Sequence, residues 1–181
     1  MKKLVFATMM CIAAMSANAQ VLTSETVKNV YEEVSNKADS KFLYNADFTG
    51  NDITTMYVYK ANVGRGDMLA LTPYLKYDYT YAVDGTLASK VTYNWNDCLN
   101  NWTCAARHDY TVDSAKYSVE YSRYNPITEC FDQPTDKMVY SLMPNDGVSN
   151  VSSYHRVDSS SQFQLISEIL ITDQPLLARA N

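Results

Sequence analysis

Residues 79–95 read Tyr79-Thr80-Tyr81-Ala82-Val83-Asp84-Gly85-Thr86-Leu87-Ala88-Ser89-Lys90-Val91-Thr92-Tyr93-Asn94-Trp95. Asp84-Gly85 is a turn signal, and on both sides of it β-branched and aromatic residues alternate with polar ones, which is the period of a strand. A three-residue loop, Val83 to Gly85 with Gly85 in the left-handed region, sets Ala82 opposite Thr86, Tyr81 opposite Leu87, Tyr77 opposite Val91 and Leu75 opposite Tyr93. The same register sets Asp78 opposite Lys90. A two-residue loop would place the tyrosine row opposite Ala88, Lys90 and Thr92, so pattern, turn chemistry and charge favour three.

Working outward, a two-residue loop at Asn100-Asn101 closes Leu99 on Trp102 and pairs Trp95 with Ala106, Tyr93 with His108 and Val91 with Tyr110. A four-residue loop from Asp113 to Lys116 then matches Val112 with Tyr117, Tyr110 with Val119 and His108 with Tyr121. Four strands so registered share one aromatic face. Their other face carries Lys76, Asp78, Lys90, Arg107, Asp109, Glu120 and Ser122 and reads as solvent-facing. Asp109 falls directly opposite Glu120, with Lys90 and Arg107 as the diagonal neighbours that would compensate.

The same grammar extends beyond this window. Lys41 to Phe48 and Ile53 to Lys60 flank Thr49-Gly50-Asn51-Asp52, and Lys137 to Met143 and Val148 to Val157 flank Asn145-Asp146-Gly147, giving two more hairpins. Phe163 to Ile171 is a strand or a short helix, with β-branched content favouring strand. Near the start, Val27, Val30, Tyr31, Val34 and Ala38 recur at helical spacing behind Thr23 or Ser24 as N-cap, which predicts a helix over 24–38. The expected fold is mainly β (α+β): an N-terminal helix packed on an antiparallel meander of about eight or nine strands, bent or partly closed.

Lys2 and Lys3 before an apolar run from Leu4 to Met15, then Ala17-Asn18-Ala19, form the pattern of a signal peptide cleaved between Ala19 and Gln20. The expectation is a periplasmic or extracellular single domain over residues 20–181, with no apolar run after residue 19 long enough to span a membrane. The full chain has a net charge of −5, and losing residues 1–19 removes two lysines and no acid. Its basic residues are scattered singly among Asp and Glu, which argues against nucleic acid. Cys98, Cys104 and Cys130 would remain, an odd count that allows one bridge or none and supports neither a disulfide framework nor a four-Cys zinc site. The register above places Cys98 and Cys104 on opposite faces, against a bridge between them.

The run from Tyr79 to Trp95 resembles small, Tyr-rich, signal-peptide-bearing secreted proteins of Bacteroidetes classed as domains of unknown function, and the resemblance covers the middle third of the chain. Its tyrosine, Asp-Gly and Leu part is also similar to a YD-type β-hairpin repeat. These resemblances imply an antiparallel sheet and an envelope or extracellular location, and bring no catalytic residue or ligand with them.

The chemistry-bearing candidates are few. Tyr93, Trp95, Trp102 and His108 could bind a ligand if their sheet face were uncovered, since sugars stack on aromatic rings; covered, they are core. Asp109 and Glu120 could be an acid/base pair, with a surface ionic ladder as the competing reading. His155 has no partner by spacing. Arg65-Gly66-Asp67 is an integrin-type tripeptide that three residues match by chance. Asp113-Ser114-Ala115 fits an O-glycosylation pattern at Ser114. No nucleotide-binding, nucleophile-elbow or zinc-hydrolase motif is present, so no metal and no cofactor are expected. The functional expectation is a non-catalytic envelope module that binds a protein or a surface polymer. Carbohydrate binding through Tyr and Trp, and hydrolysis by Asp109 and Glu120, stand as the alternatives.

Overall fold

The computed structural model describes residues 21–37, 41–63, 69–113, 115–142 and 148–170. Among the described residues one helix, α1 (Ser24–Ser35), precedes ten strands: β1 (Phe42–Thr49), β2 (Asp52–Val63), β3 (Leu69–Tyr81), β4 (Leu87–Asn96), β5 (Asn101–Asp113), β6 (Lys116–Asn125), β7 (Cys130–Phe131), β8 (Asp136–Leu142), β9 (Val148–His155) and β10 (Gln164–Leu170). They form one antiparallel sheet in chain order from β1 to β10, except that the two-residue β7 pairs only with the end of β6. The sheet is open, with β1 and β10 at its edges. This is the expected meander. Of the segment 163–171, Gln164–Leu170 is the strand β10, and Ile171 lies outside the described residues.

Helix α1 starts where the capping residues predict. The Thr23 hydroxyl accepts from the Thr26 N–H, and the Thr26 side chain accepts from the Thr23 N–H, so two of the otherwise unpaired first-turn donors are satisfied. The helix stops at Ser35, short of the predicted 38, with Asn36 as C-cap; Ala38 lies outside the described residues. Val27 is the position of its apolar stripe that buries fully, against Ile53, Met56 and Leu87. The chain before the helix is tied to the tip of the β3–β4 hairpin by Leu87 N–H to the Leu22 carbonyl (2.8 Å) and Ser24 N–H to the Gly85 carbonyl (3.0 Å). Leu22 thereby also reaches a second cluster, Tyr117, Val119, Met138 and Tyr140. Both clusters lie on one face, the inner face, because a strand's side chains alternate.

The turn at Val83 to Gly85 forms as predicted: Ala82 N–H donates to the Thr86 carbonyl (2.8 Å) and Tyr81 pairs with Leu87. Immediately beyond it the ladder slips by one. Thr80 pairs with Ser89, leaving Ala88 as an extra residue, and from there Tyr79 faces Lys90, Tyr77 faces Thr92 and Lys76 faces Tyr93. This corrects the predicted pairing of Asp78 with Lys90. A second bulge follows at Ala105, between the pairs Thr92 with Ala106 and Tyr93 with Cys104. The β4–β5 hairpin closes through Trp95 opposite Trp102 and Asn96 opposite Asn101, with Asn100 at φ 50°, not through an Asn100-Asn101 loop. Each bulge inserts one residue, and a one-residue shift sends every following side chain to the other face.

Two consequences revise the expected faces. Lys90, predicted to face solvent, is buried on the inner face, 7% exposed. Tyr93 and Trp95, predicted to lie with His108, are on the outward face while His108 stays inside. The β5–β6 ladder has no slip, and Tyr110 with Val119, His108 with Tyr121 and Asp109 with Glu120 pair as predicted. Ser122, also predicted to face solvent, is fully buried. Its ladder partner Arg107 is stacked on the Phe131 ring of β7 (4.7 Å), so the outward face is not bare there.

Candidate functional site

On the outward face, Tyr57, Lys76, Tyr93 and Cys104 occupy successive positions across β2, β3, β4 and β5. Beside them Trp95 and Trp102 face each other, rings edge to face at 5.0 Å. Trp102 also reaches Tyr57, with ring centroids 6.2 Å apart although β3 and β4 lie between their strands. Strands are spaced about 4.8 Å, so the two rings reach toward each other along the sheet. All four aromatics are half-buried and belong to neither hydrophobic cluster.

A polar node adjoins these rings. The Lys76 ammonium lies over the Tyr93 ring at 3.9 Å and pairs with Asp78 at 2.9 Å. The other Asp78 oxygen accepts from the Thr55 hydroxyl at 3.0 Å. Burial, and then the Asp78 carboxylate beside it, push the Tyr93 phenol up to about 12. At the far edge the Tyr57 hydroxyl donates to Asp47 (3.0 Å), and that hydrogen bond is the main reason its pKa rises.

Asp109 and Glu120 do face each other, but each has its own cation: Arg107 on Asp109 and Lys137 on Glu120, both at 2.8 Å. Arg107 is one of the two expected partners; Lys90, the other, is on the opposite face, and Lys137 from β8 takes its place. Of the proposed ligand residues the structure brings Tyr93, Trp95 and Trp102 together and leaves His108 apart, edge to face with Tyr121 at 5.3 Å. Tyr57 joins them unannounced, because it comes from a hairpin remote in sequence. His155 has the partner that spacing did not show: its Nδ1 is 2.8 Å from an Asp136 oxygen, and Thr135 donates to the other.

Cys98 lies in the turn after β4 and is exposed, as is Cys130, while Cys104 is half-buried; the three are free thiols. The opposite-face argument for Cys98 therefore no longer applies, since it is not on a strand. Ser114, Arg65-Gly66-Asp67 and residues 1–19, where the sequence pattern predicts a signal peptide, lie outside the described residues. Among the described residues no group of three His, Cys, Asp or Glu side chains could hold a metal ion. No helix among them is long and apolar enough to cross a membrane.

Comparison with known proteins adds the lineage. A protein of unknown function from Bacteroides fragilis NCTC 9343 is similar in structure, with a TM-score of 0.64 at 25% identity over 74% of this chain and 94% of that one. A DUF3836 family protein from Bacteroides vulgatus ATCC 8482 is similar at 23% identity over 51% of this chain and 89% of its own, TM-score 0.45. Another from Parabacteroides distasonis ATCC 8503 is similar at 17% identity over 55% and 89%, TM-score 0.47. Comparison with curated proteins returns no match. The description "Family of unknown function (DUF3836)" matches residues 1–142, and the chain belongs to that family.

Proposed function

We propose that the protein is a binding module of the cell envelope, carried to the periplasm or the exterior by residues 1–19, and that the outward face between β2 and β6 meets its partner, a protein or a surface polymer. One observation carries this reading: Tyr57, Tyr93, Trp95 and Trp102 gather on the sheet face opposite the helix, outside both hydrophobic clusters. Aromatics grouped in this way on a sheet's open side mark a contact surface more often than chance exposure does. The hydrolytic alternative finds less support, because Asp109 and Glu120 are each engaged by a cation in the manner of a surface ladder.

The test is titration of the purified protein with isolated envelope polymers and surface proteins, followed by tryptophan fluorescence. Binding that shields Trp95 and Trp102 from a neutral quencher, and that Trp102→Ala abolishes without changing the β-sheet circular dichroism, is the expected result. Equal binding by Trp102→Ala would remove the face from consideration.

A further inference from the structure

The charges of the outward face specify more than a contact surface. Three cations of its ladder are already committed: Lys76 to Asp78 at 2.9 Å, Arg107 to Asp109 at 2.8 Å and Lys137 to Glu120 at 2.8 Å. Arg156, at the rim, is held by the Pro134 carbonyl and stacks on Phe163. A ligand bearing carboxylates or sulfates would have to break one of these pairs to engage any of the three, and it would approach a chain whose net charge is −5, a field that repels anions. Anionic polymers are therefore poorly matched to this surface.

What it does offer is stacking area beside unsaturated hydrogen-bonding capacity. Asp78 accepts from Thr55 on one oxygen and from Lys76 on the other, and the Tyr93 hydroxyl is hydrogen-bonded to the same carboxylate; an ionised carboxylate can accept about four bonds, so one position is left for a ligand. The Asp78 side chain is 34% exposed and Lys76 18%, so the node is held in place yet reachable. It sits directly between Tyr57 and Tyr93, whose positions in the ladder flank Lys76 on either side. A rigid acceptor next to aromatic ring faces is the combination that recognises a sugar: the apolar face of the pyranose stacks, and its hydroxyls donate to the carboxylate.

We infer that the ligand of this face is a neutral glycan, whose sugar rings stack on Tyr57, Trp95 and Trp102 and whose hydroxyls are read by the Lys76–Asp78 pair. The inference rests on the reading of the outward face as the binding surface and adds the class of ligand and the residues that select it. A glycan lying across β2 to β5 would keep every ion pair of the ladder intact.

The experiment is a fluorescence and calorimetric titration of the purified protein with neutral hexose oligosaccharides and with matched uronate-bearing and sulfated ones, at low and high salt. Neutral oligosaccharides should bind at least about tenfold more tightly than acidic ones. Their affinity should change little between about 50 and about 500 mM salt, since no charge pairing is involved. Asp78→Asn, nearly isosteric, should weaken neutral-glycan binding by about tenfold while the unfolding transition stays in place, and Trp102→Ala should abolish it. Acidic glycans binding more tightly, with affinity falling in salt, would overturn the ligand class while leaving the face as a binding surface. No response to any glycan, while an envelope protein still binds and Trp102→Ala still blocks it, would overturn the glycan inference and leave the binding module standing. Neutral-glycan binding undiminished by both Asp78→Asn and Trp102→Ala would overturn the site.

Discussion

Lys90 faces His108 directly across the β4–β5 ladder, on the side of the sheet that the helix covers. Two groups able to carry positive charge thus sit side by side in the interior, and among the described residues neither is paired with a carboxylate. Burial holds Lys90 down to about 8. Burial, with the Lys90 charge added, holds His108 at about 3. The Lys90 ammonium has the Tyr77 ring 5.5 Å away, and His108 Nδ1 is buried without a hydrogen-bond partner. The pair is a local cost built into an otherwise apolar and aromatic face.

Stability should accordingly rise with pH above neutrality. Between the folded-state value of about 8 and the ordinary 10.5 for lysine, the unfolded chain binds more protons than the folded one, and ΔG of unfolding increases with pH. Urea unfolding followed by circular dichroism should show a gain on the order of 2 kcal/mol from pH 8 towards pH 10. Above pH 10 the trend should reverse, because buried tyrosines such as Tyr77, raised from 10.0 to about 12, stay protonated only in the folded state. Lys90→Met should be more stable than the parent at pH 7 by a similar amount and lose the rise. An identical rise in Lys90→Met would assign it to other groups.

His108 makes the opposite end of the pH range informative. Its folded-state value lies below the ordinary 6.5, so its contribution is lost as pH falls from 6.5 towards 3, where only the unfolded chain takes up the proton. His108→Phe keeps a ring against Tyr121 and removes both the titration and the unpaired Nδ1. Its acid-unfolding midpoint should move to lower pH; an unchanged midpoint would show that carboxylates alone set acid stability.

Ile53 is wholly buried, at 0% exposure, in the cluster under the helix, and its carbonyl accepts the Tyr81 hydroxyl at 2.8 Å. Ile53→Ala should cost about 3 kcal/mol and Ile53→Val about 1 kcal/mol, the transfer and cavity costs of a closed site. Ile127, 91% exposed in the turn before β7, should tolerate alanine within about 0.5 kcal/mol. Denaturant midpoints at constant slope would measure all three.

Gly85 and Gly50 hold two of the hairpin turns with φ of 81° and 62°. A Cβ at Gly85 would find Ser24 Oγ at 3.9 Å, ordinary contact, and one at Gly50 would find nothing within 4 Å. Alanine at either site is therefore a test of backbone strain without steric clash and should cost about 1 kcal/mol, lowering Tm by about 3 °C. A much larger loss at Gly85 than at Gly50 would show that the docking of Leu22 and Ser24 onto this turn depends on its geometry.

Much of the fold was legible along the chain because its signals are local. Thr23 as N-cap, the Gly50 and Gly85 turns and the alternation of Tyr110, Val112, Tyr117 and Val119 act within a few residues of one another, and the structure retains each. The β5–β6 register is readable to the last pair because that ladder has no bulge. The candidate site was legible only in part: Tyr93, Trp95 and Trp102 are conspicuous by type, whereas Tyr57, Lys76 and Asp78 join them through pairings between different hairpins.

By itself the sequence determined the class of the molecule, one amphipathic helix followed by an antiparallel meander, since capping, periodicity and turn chemistry are properties of short segments. Only the tertiary structure decided which face each side chain takes after Ala88 and Ala105. A bulge is selected by the fit of whole strands to the helix and to each other, and no local pattern announces it. That single-residue difference puts Lys90 inside beside His108, and turns Tyr93, Trp95 and Trp102 outward to meet Tyr57.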